Sequence, residues 1–352
     1  MHHIKKIIYL ILNKLISYFD ELKARNKFIV YDTHVHPFEV LGACDRECIN
    51  TETEMHATRA PSLLEKLDFS FLSLIILDLL FRWTPGYIKK NICHNFTTNN
   101  YENLIREMDI SRVDYSVLVP VAPITNIDKF TPYRKSERFI FIGSIDIHNV
   151  DVDSIEEELL RQKREYKIQG IKLHPNIQKF YPVPSHNETR LAEKLVRLYE
   201  LLNKHRLYAL FHSGVSYLPH EGTFEKVSYA KLENFFDKEG NLFDYISMPV
   251  VLAHIGSYNV STPNKYLLNK IFQRYDHVYL DTAGVSSDLI SKIINQRNSD
   301  KIVFGSDAKY FNIKYSIYRT LCALQDTPGG LNDELVIKIF SQNYLNLLRS
   351  LK

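Results

Sequence analysis

Metal-ligand side chains recur at the ends of apolar runs in this chain. The first are His34 and His36, which close the run Phe28-Ile-Val-Tyr-Asp-Thr-His-Val-His36 just before Pro37. Residues two apart on a strand face the same side, so this run presents two imidazoles together. Taken alone, the pair reads equally well as two surface histidines before a turn. Four later runs end in the same manner. Tyr208-Ala-Leu-Phe ends in His212-Ser-Gly214, and Val250-Val-Leu-Ala253 ends in His254-Ile-Gly256. Each delivers one histidine before a glycine turn, and zinc and similar divalent ions accept neutral imidazole and carboxylate oxygen. Ile302-Val-Phe-Gly-Ser ends in Asp307. An aspartate beside a metal can be both ligand and proton acceptor, because the ion lowers the pKa of its water to about 7; without a metal it reads as a helix N-cap. Ile168-Gln-Gly-Ile-Lys-Leu-His174 offers Lys172 and His174 on one face. A lysine facing a barrel mouth is costly unless paired or modified. Lys172 could be carbamylated and bridge two metals, bind a substrate carboxylate, or form a structural ion pair. His174 could contact substrate or cap the strand before Pro175.

These groups need a frame that gathers strand ends. Eight β-rich runs occur in order, at about 28–36, 115–121, 139–145, 168–174, 208–212, 250–254, 278–281 and 302–307. Amphipathic stretches lie between most of them, at Ser154–Tyr166, Glu188–Lys204, Tyr266–Arg274 and Leu289–Asn295. Eightfold strand-helix alternation implies an α/β fold, a (β/α)8 TIM-type barrel, whose chemistry collects at the C-terminal strand ends. Residues 1–27 read as an N-terminal amphipathic helix and 28–352 as the barrel. Ile4, Ile8, Ile11, Leu12, Leu15, Phe19 and Leu22 share one helical face. That helix packs on its own domain or on a second subunit; a peripheral membrane contact is the other reading.

A large insert at about 42–100 interrupts the alternation after the first strand. It carries the apolar run Phe69–Trp83, which Asp78 interrupts, so it does not read as a membrane span. An insert there would lie over the barrel mouth.

Composition narrows the rest. The 352 residues are 45% hydrophobic and 24% charged with net charge +3, which gives no clustered basic excess for nucleic acid. A small-molecule substrate and a homo-oligomer are the expected partners. Four cysteines, Cys44, Cys48, Cys93 and Cys322, are too few for a disulfide framework. They read as ordinary reduced thiols in a cytoplasmic protein, with a separate zinc site from Cys44, Cys48, His56, Cys93 and His94 as the lesser alternative.

The ordered series His34-x-His36, Gly170-Ile-Lys-Leu-His-Pro175, His212-Ser-Gly, Ala253-His-Ile-Gly and Gly305-Ser-Asp307 resembles the amidohydrolase superfamily, in its amidohydrolase-related (amidohydrolase-2) branch of metal-dependent hydrolases and decarboxylases. Glu107–Val119 and Ile339–Leu348 add weaker matches to that branch. The resemblance implies that His34, His36, His212 and Asp307 hold a divalent metal, zinc by preference and manganese as an alternative. It implies that His254 polarises substrate or binds a second ion, and that Lys172 bridges two metals where it is carbamylated. Asp307, His254 and Lys172 would then be catalytic and His174 substrate-binding. The implied activity is hydrolysis of a small amide, lactone or ester, with decarboxylation of a small carboxylic acid as the alternative. A TatD-type deoxyribonuclease is a weaker fit, because those relatives carry Glu where this chain has Lys172. A non-catalytic binding protein is set against the intact ligand series.

Overall fold

The computed structural model describes residues 2–44 (2–12 by backbone only), 78–97, 100–238, 240–260, 262–294 and 298–352. Eleven strands form among these residues: β1 Tyr31–Val35, β2 Tyr115–Leu118, β3 Phe139–Phe141, β4 Gly143–Ser144, β5 Gly170–Leu173, β6 Tyr208–Phe211, β7 Ser216–His220, β8 Thr223–Val227, β9 Val250–Leu252, β10 Val278–Asp281 and β11 Ile302–Val303. They make two parallel arcs, β1-β2-β3 and β11-β10-β9-β6-β5-β4, with β7-β8 a separate antiparallel hairpin. Backbone hydrogen bonds join the arcs at both seams. At one, Ile142 N donates to Leu118 O and Gln169 N to Phe141 O; at the other, Thr33 N donates to Phe304 O and Asp307 N to His34 O. The eight strand positions expected from the sequence are all occupied, with β3 and β4 as one bent strand. They read as near-continuous apolar runs because helices cover their outer faces. The mixed α/β fold is that of a (β/α)8 barrel.

The N-terminal helix α1, His2–Asn26, packs on this barrel. Leu15, Phe19 and Leu22 fall on one face and are buried. The Phe19 ring lies 4.9 Å from Phe340 and 6.1 Å, edge-on, from Phe28. Tyr18 Oη donates to Asp333 at 2.7 Å on the same side. The side chains of Ile4, Ile8, Ile11 and Leu12 lie outside the described set. No helix among the described residues is long and apolar enough to cross a membrane. Phe19→Ala is expected to cost about 3–5 kcal/mol, the range for emptying a buried phenylalanine site, as a lowered denaturant midpoint at unchanged slope.

The described part of the insert lies beside the barrel mouth. Phe81 stacks on Tyr217 of β7 at 4.3 Å and meets Phe224 of β8 edge-on at 4.9 Å. Asp78, the acid within the apolar run, accepts from Tyr217 Oη at 2.6 Å. The insert helix α2, Pro85–Thr97, sets Phe96 against Tyr310, whose ring meets His36 edge-on at 5.9 Å. Residues 45–77, with Cys48 and His56, lie outside the described set.

One expectation is corrected here. Cys44 and Cys93 were read as reduced thiols, but they form a disulfide. Helix α2 runs back past the chain that leaves β1, bringing the two Cα atoms to 5.4 Å across 49 residues of sequence. Sequence spacing carries no sign of that return. The same pairing occupies two of the proposed ligands of a separate zinc site, and no second metal-type cluster forms among the described residues.

Candidate metal centre

Three predicted ligands converge: ligand atoms of His34, His36 and Asp307 all lie within 4.8 Å of one another, and all three residues are buried. His34 lies near the C-terminal end of β1, His36 is the first residue past it, and Asp307 comes from the loop after β11. Gly305 allows this approach, since a Cβ there would stand 2.9 Å from His34 Cβ. Asp307 and His254 both adopt left-handed backbone, φ 60° and 58°. Non-glycine residues hold such conformations at a cost of order 1–3 kcal/mol, and functional sites are where that cost is usually found.

The partners of each ring fix its tautomer. His36 Nδ1 donates to Val119 O at 2.8 Å, and His34 Nδ1 donates to Asp281 Oδ2 at 2.8 Å. Burial pushes both imidazoles well below their ordinary pKa, so both are neutral. Their single ring protons are therefore on Nδ1, and two Nε2 lone pairs face each other at 3.1 Å. Two acceptors at that distance repel unless a cation or donor lies between them. Lys172 Nζ, 3.4 Å from His34 Nε2, supplies only one long contact. The donor set therefore fits a divalent ion held by His34 and His36 with Asp307, whose Oδ1 is 3.7 Å from His36 Nε2.

His212 and His254 stand one step away. His254 Nδ1 donates to Ala283 O at 2.8 Å, which leaves its Nε2 to accept from His212 Nδ1 at 3.1 Å. His212 Nε2 then accepts from Ser216 Oγ at 2.9 Å. Both nitrogens of His212 are thus engaged, unlike those of His34 and His36. Burial also holds His254 down to about 3 and His212 well below its usual range. His174 stacks flat on His212 with ring centroids 4.0 Å apart. Its Nδ1 accepts from Ile177 N at 3.2 Å, capping the short helix Pro175–Gln178, so its proton sits on Nε2 as a donor. Both roles considered for His174 are therefore compatible.

Lys172 is 1% exposed. Burial draws its ammonium down to about 8, against the attraction of Asp281 and Asp307. Asp307 moves the other way, to about 7: burial raises it, Lys172 lowers it, and Asp281 and Asp32 raise it further.

Two acids that sequence reasoning left without a role organise the centre. Asp281 ends β10; besides His34 it accepts from His254 N at 2.7 Å and Ala283 N at 3.1 Å. Asp32 accepts from Ser306 N at 2.9 Å and Ser306 Oγ at 2.6 Å, tying β1 to the Asp307 loop. The strand-end pattern that flagged the histidines applies equally to Asp281. Asp281→Ala is expected to weaken metal binding about 10- to 100-fold, the usual effect of removing a carboxylate behind a ligating histidine, measured by competition with a chelator. Tyr258 was also missed. Its ring covers His254 at 4.3 Å. Its backbone bonds Ser213 O and Val215 N, so close to Gly214 that a Cβ there would stand 2.3 Å from Tyr258 O.

A parallel α/β barrel that gathers imidazoles and an aspartate at the C-terminal strand ends is a barrel with a candidate metal centre. More narrowly, the family model described as amidohydrolase matches residues 135–349, over half of the chain, and the protein belongs to that family. Solved structures share the fold at low identity. An uncharacterised TIM-barrel protein from Bordetella bronchiseptica is 14% identical with a TM-score of 0.54, over 92% of this chain and 99% of that one. The 2,6-dihydroxybenzoate decarboxylase from Rhizobium is 13% identical with a TM-score of 0.51, over 92% and 99%. A probable 2-pyrone-4,6-dicarboxylic acid hydrolase from Acinetobacter baumannii is 13% identical with a TM-score of 0.50, over 91% and 99%. No curated protein matches the chain.

Proposed function

We propose that this chain is a metal-dependent hydrolase that opens an amide, lactone or ester bond of a small molecule. The observation that carries this reading is Asp307, a buried carboxylate in the same cluster as two imidazoles whose Nε2 lone pairs face each other. A divalent ion at His34, His36 and Asp307, zinc by preference or manganese, would supply Lewis acidity and an acidified water. Asp307 takes the proton from the attacking water and returns it to the leaving group. His254, fixed by Ala283 O and covered by Tyr258, keeps its Nε2 as a lone pair, which would accept from a substrate donor or bind a second ion. His174 offers an Nε2–H to a substrate oxygen.

Lys172 favours a second reading. Its ammonium is buried beside the cluster and forms no ion pair among the described residues. A substrate carboxylate would complete it, which suits decarboxylation as well as hydrolysis. The test uses the full-length protein reloaded with zinc or manganese. Metal is counted by elemental analysis beside His34→Ala, and lactones, esters and aromatic carboxylates are then offered in 18O-labelled water. Label in the product supports hydrolysis, whereas carbon dioxide release without label supports decarboxylation. Failure to retain metal would overturn both.

A further inference from the structure

A separate cavity of about 370 Å³ opens on the barrel rim, between the loops that follow β4 and β5 and the chain after β8. Lys179, Arg190 and Lys194 line it with His148 and His186; Glu188 is the one acid in its wall. Lys194 is 4% exposed. Its Nζ donates to the backbone carbonyl of His148 at 2.7 Å and forms no ion pair among the described residues. Buried ammonium groups normally have a counter-charge. Lys179 is exposed and likewise forms no ion pair. Arg190 reaches Asp151 only at 3.4 Å, with both side chains more than three-quarters exposed, and His186 lies 3.3 Å from Asp237.

The helix Thr189–His205 starts in this wall without a side-chain cap. Asn187, the obvious candidate cap, spends its amide on Tyr181 N and on the carbonyls of Tyr181, Val183 and Pro184. The first-turn N–H groups at Arg190 and Leu191 therefore lack intrahelical acceptors. Tyr181 and Tyr229, 4.9 Å apart edge-on, form an apolar side.

We propose that this cavity binds a small organic anion. Its phosphate or carboxylate group would be held by Lys194, Lys179, Arg190 and the helix N-terminus, and its body would lie against Tyr181 and Tyr229. Positive side chains outnumber the single acid, and helix N–H groups suit an anion. The inference does not depend on the metal-centre reading.

The test is calorimetric titration of the full-length, metal-loaded protein with inorganic phosphate and, separately, with citrate at low ionic strength. Saturable one-site binding of either is expected, weakened about tenfold by Lys179→Ala and by Arg190→Ala, the scale of one charge-assisted hydrogen bond. His34→Ala should leave it unchanged, which separates this site from the metal centre. Binding of phosphate alone or citrate alone assigns the anionic group. The proposal is overturned if neither saturates, if both basic-residue variants bind like wild type, or if His34→Ala abolishes binding. Lys179 is exposed, so its replacement leaves the fold intact.

Discussion

Asp307→Asn is expected to lower turnover by two to four orders of magnitude, the range for losing a positioned general base. The substitution is nearly isosteric, and asparagine tolerates the left-handed backbone, φ 60°, that Asp307 occupies. Backbone strain therefore adds little to the result. Charge and proton affinity are what change. Burial holds Asp307 up to about 7 in the metal-free protein, and a divalent ion bound beside it draws that carboxyl back down, so the base is ionised over a wider range once metal is loaded. In the metal-loaded wild type the acid limb of kcat/KM should therefore lie below pH 7, and the variant should lose that limb. Metal content is measured on the same samples, since Asp307 is also a candidate ligand. A variant that retains its metal and turns over within threefold of wild type would remove Asp307 from the chemistry. A variant that loses its metal and recovers when the ion is supplied in excess would make it a ligand alone.

How far the sequence reveals this site depends on how local each signal is. The strands are legible because a strand buried on both faces is a largely apolar run; β6 and β9 have that form outright, while β1 and β5 are buried throughout but carry Asp32, Thr33, His34 and Lys172 within them. His34 and His36 are legible because both lie on one strand. Asp281 bonds His34 across 247 residues, and only the closed barrel brings them together. Ser216 and His212 are four residues apart, but their bond depends on the turn into the β7-β8 hairpin. That hairpin was itself readable: Glu221-Gly222, both at positive φ, sit between two short runs, but the barrel pattern drew attention to the parallel strands. The Cys44–Cys93 pairing was illegible because it depends on the path of an insert with no periodic pattern of its own. For α1 the apolar face was clear and its partner was not; Phe340, more than 300 residues away, supplies it.

Stripped of metal, the protein is expected to lose stability steeply on acidification from about pH 6.5 to 4. Five buried histidines, His34, His36, His174, His212 and His254, are pushed far below their ordinary pKa by burial. The unfolded chain protonates these imidazoles as pH falls through about 6.5, whereas burial holds the native ones neutral to lower pH. Three buried acids oppose them. Asp32 and Asp307, both raised to about 7, keep protons in the native state that the unfolded chain has released, and burial shifts Asp281 in the same direction. Alone, those acids would make the protein more stable toward low pH. The imidazoles outnumber the raised acids, so the unfolded state takes up more protons than the native state and unfolding free energy falls as pH drops. Urea midpoints at pH 6.5, 5.5 and 4.5 after chelation measure the slope. A flat profile, or one that rises toward acid, would mean that the acids rather than the imidazoles set the proton balance of the core. Metal loading should raise the midpoint most at pH 6.5 and least at 4.5, because a ligand that needs deprotonated imidazole competes with protons for the same lone pairs.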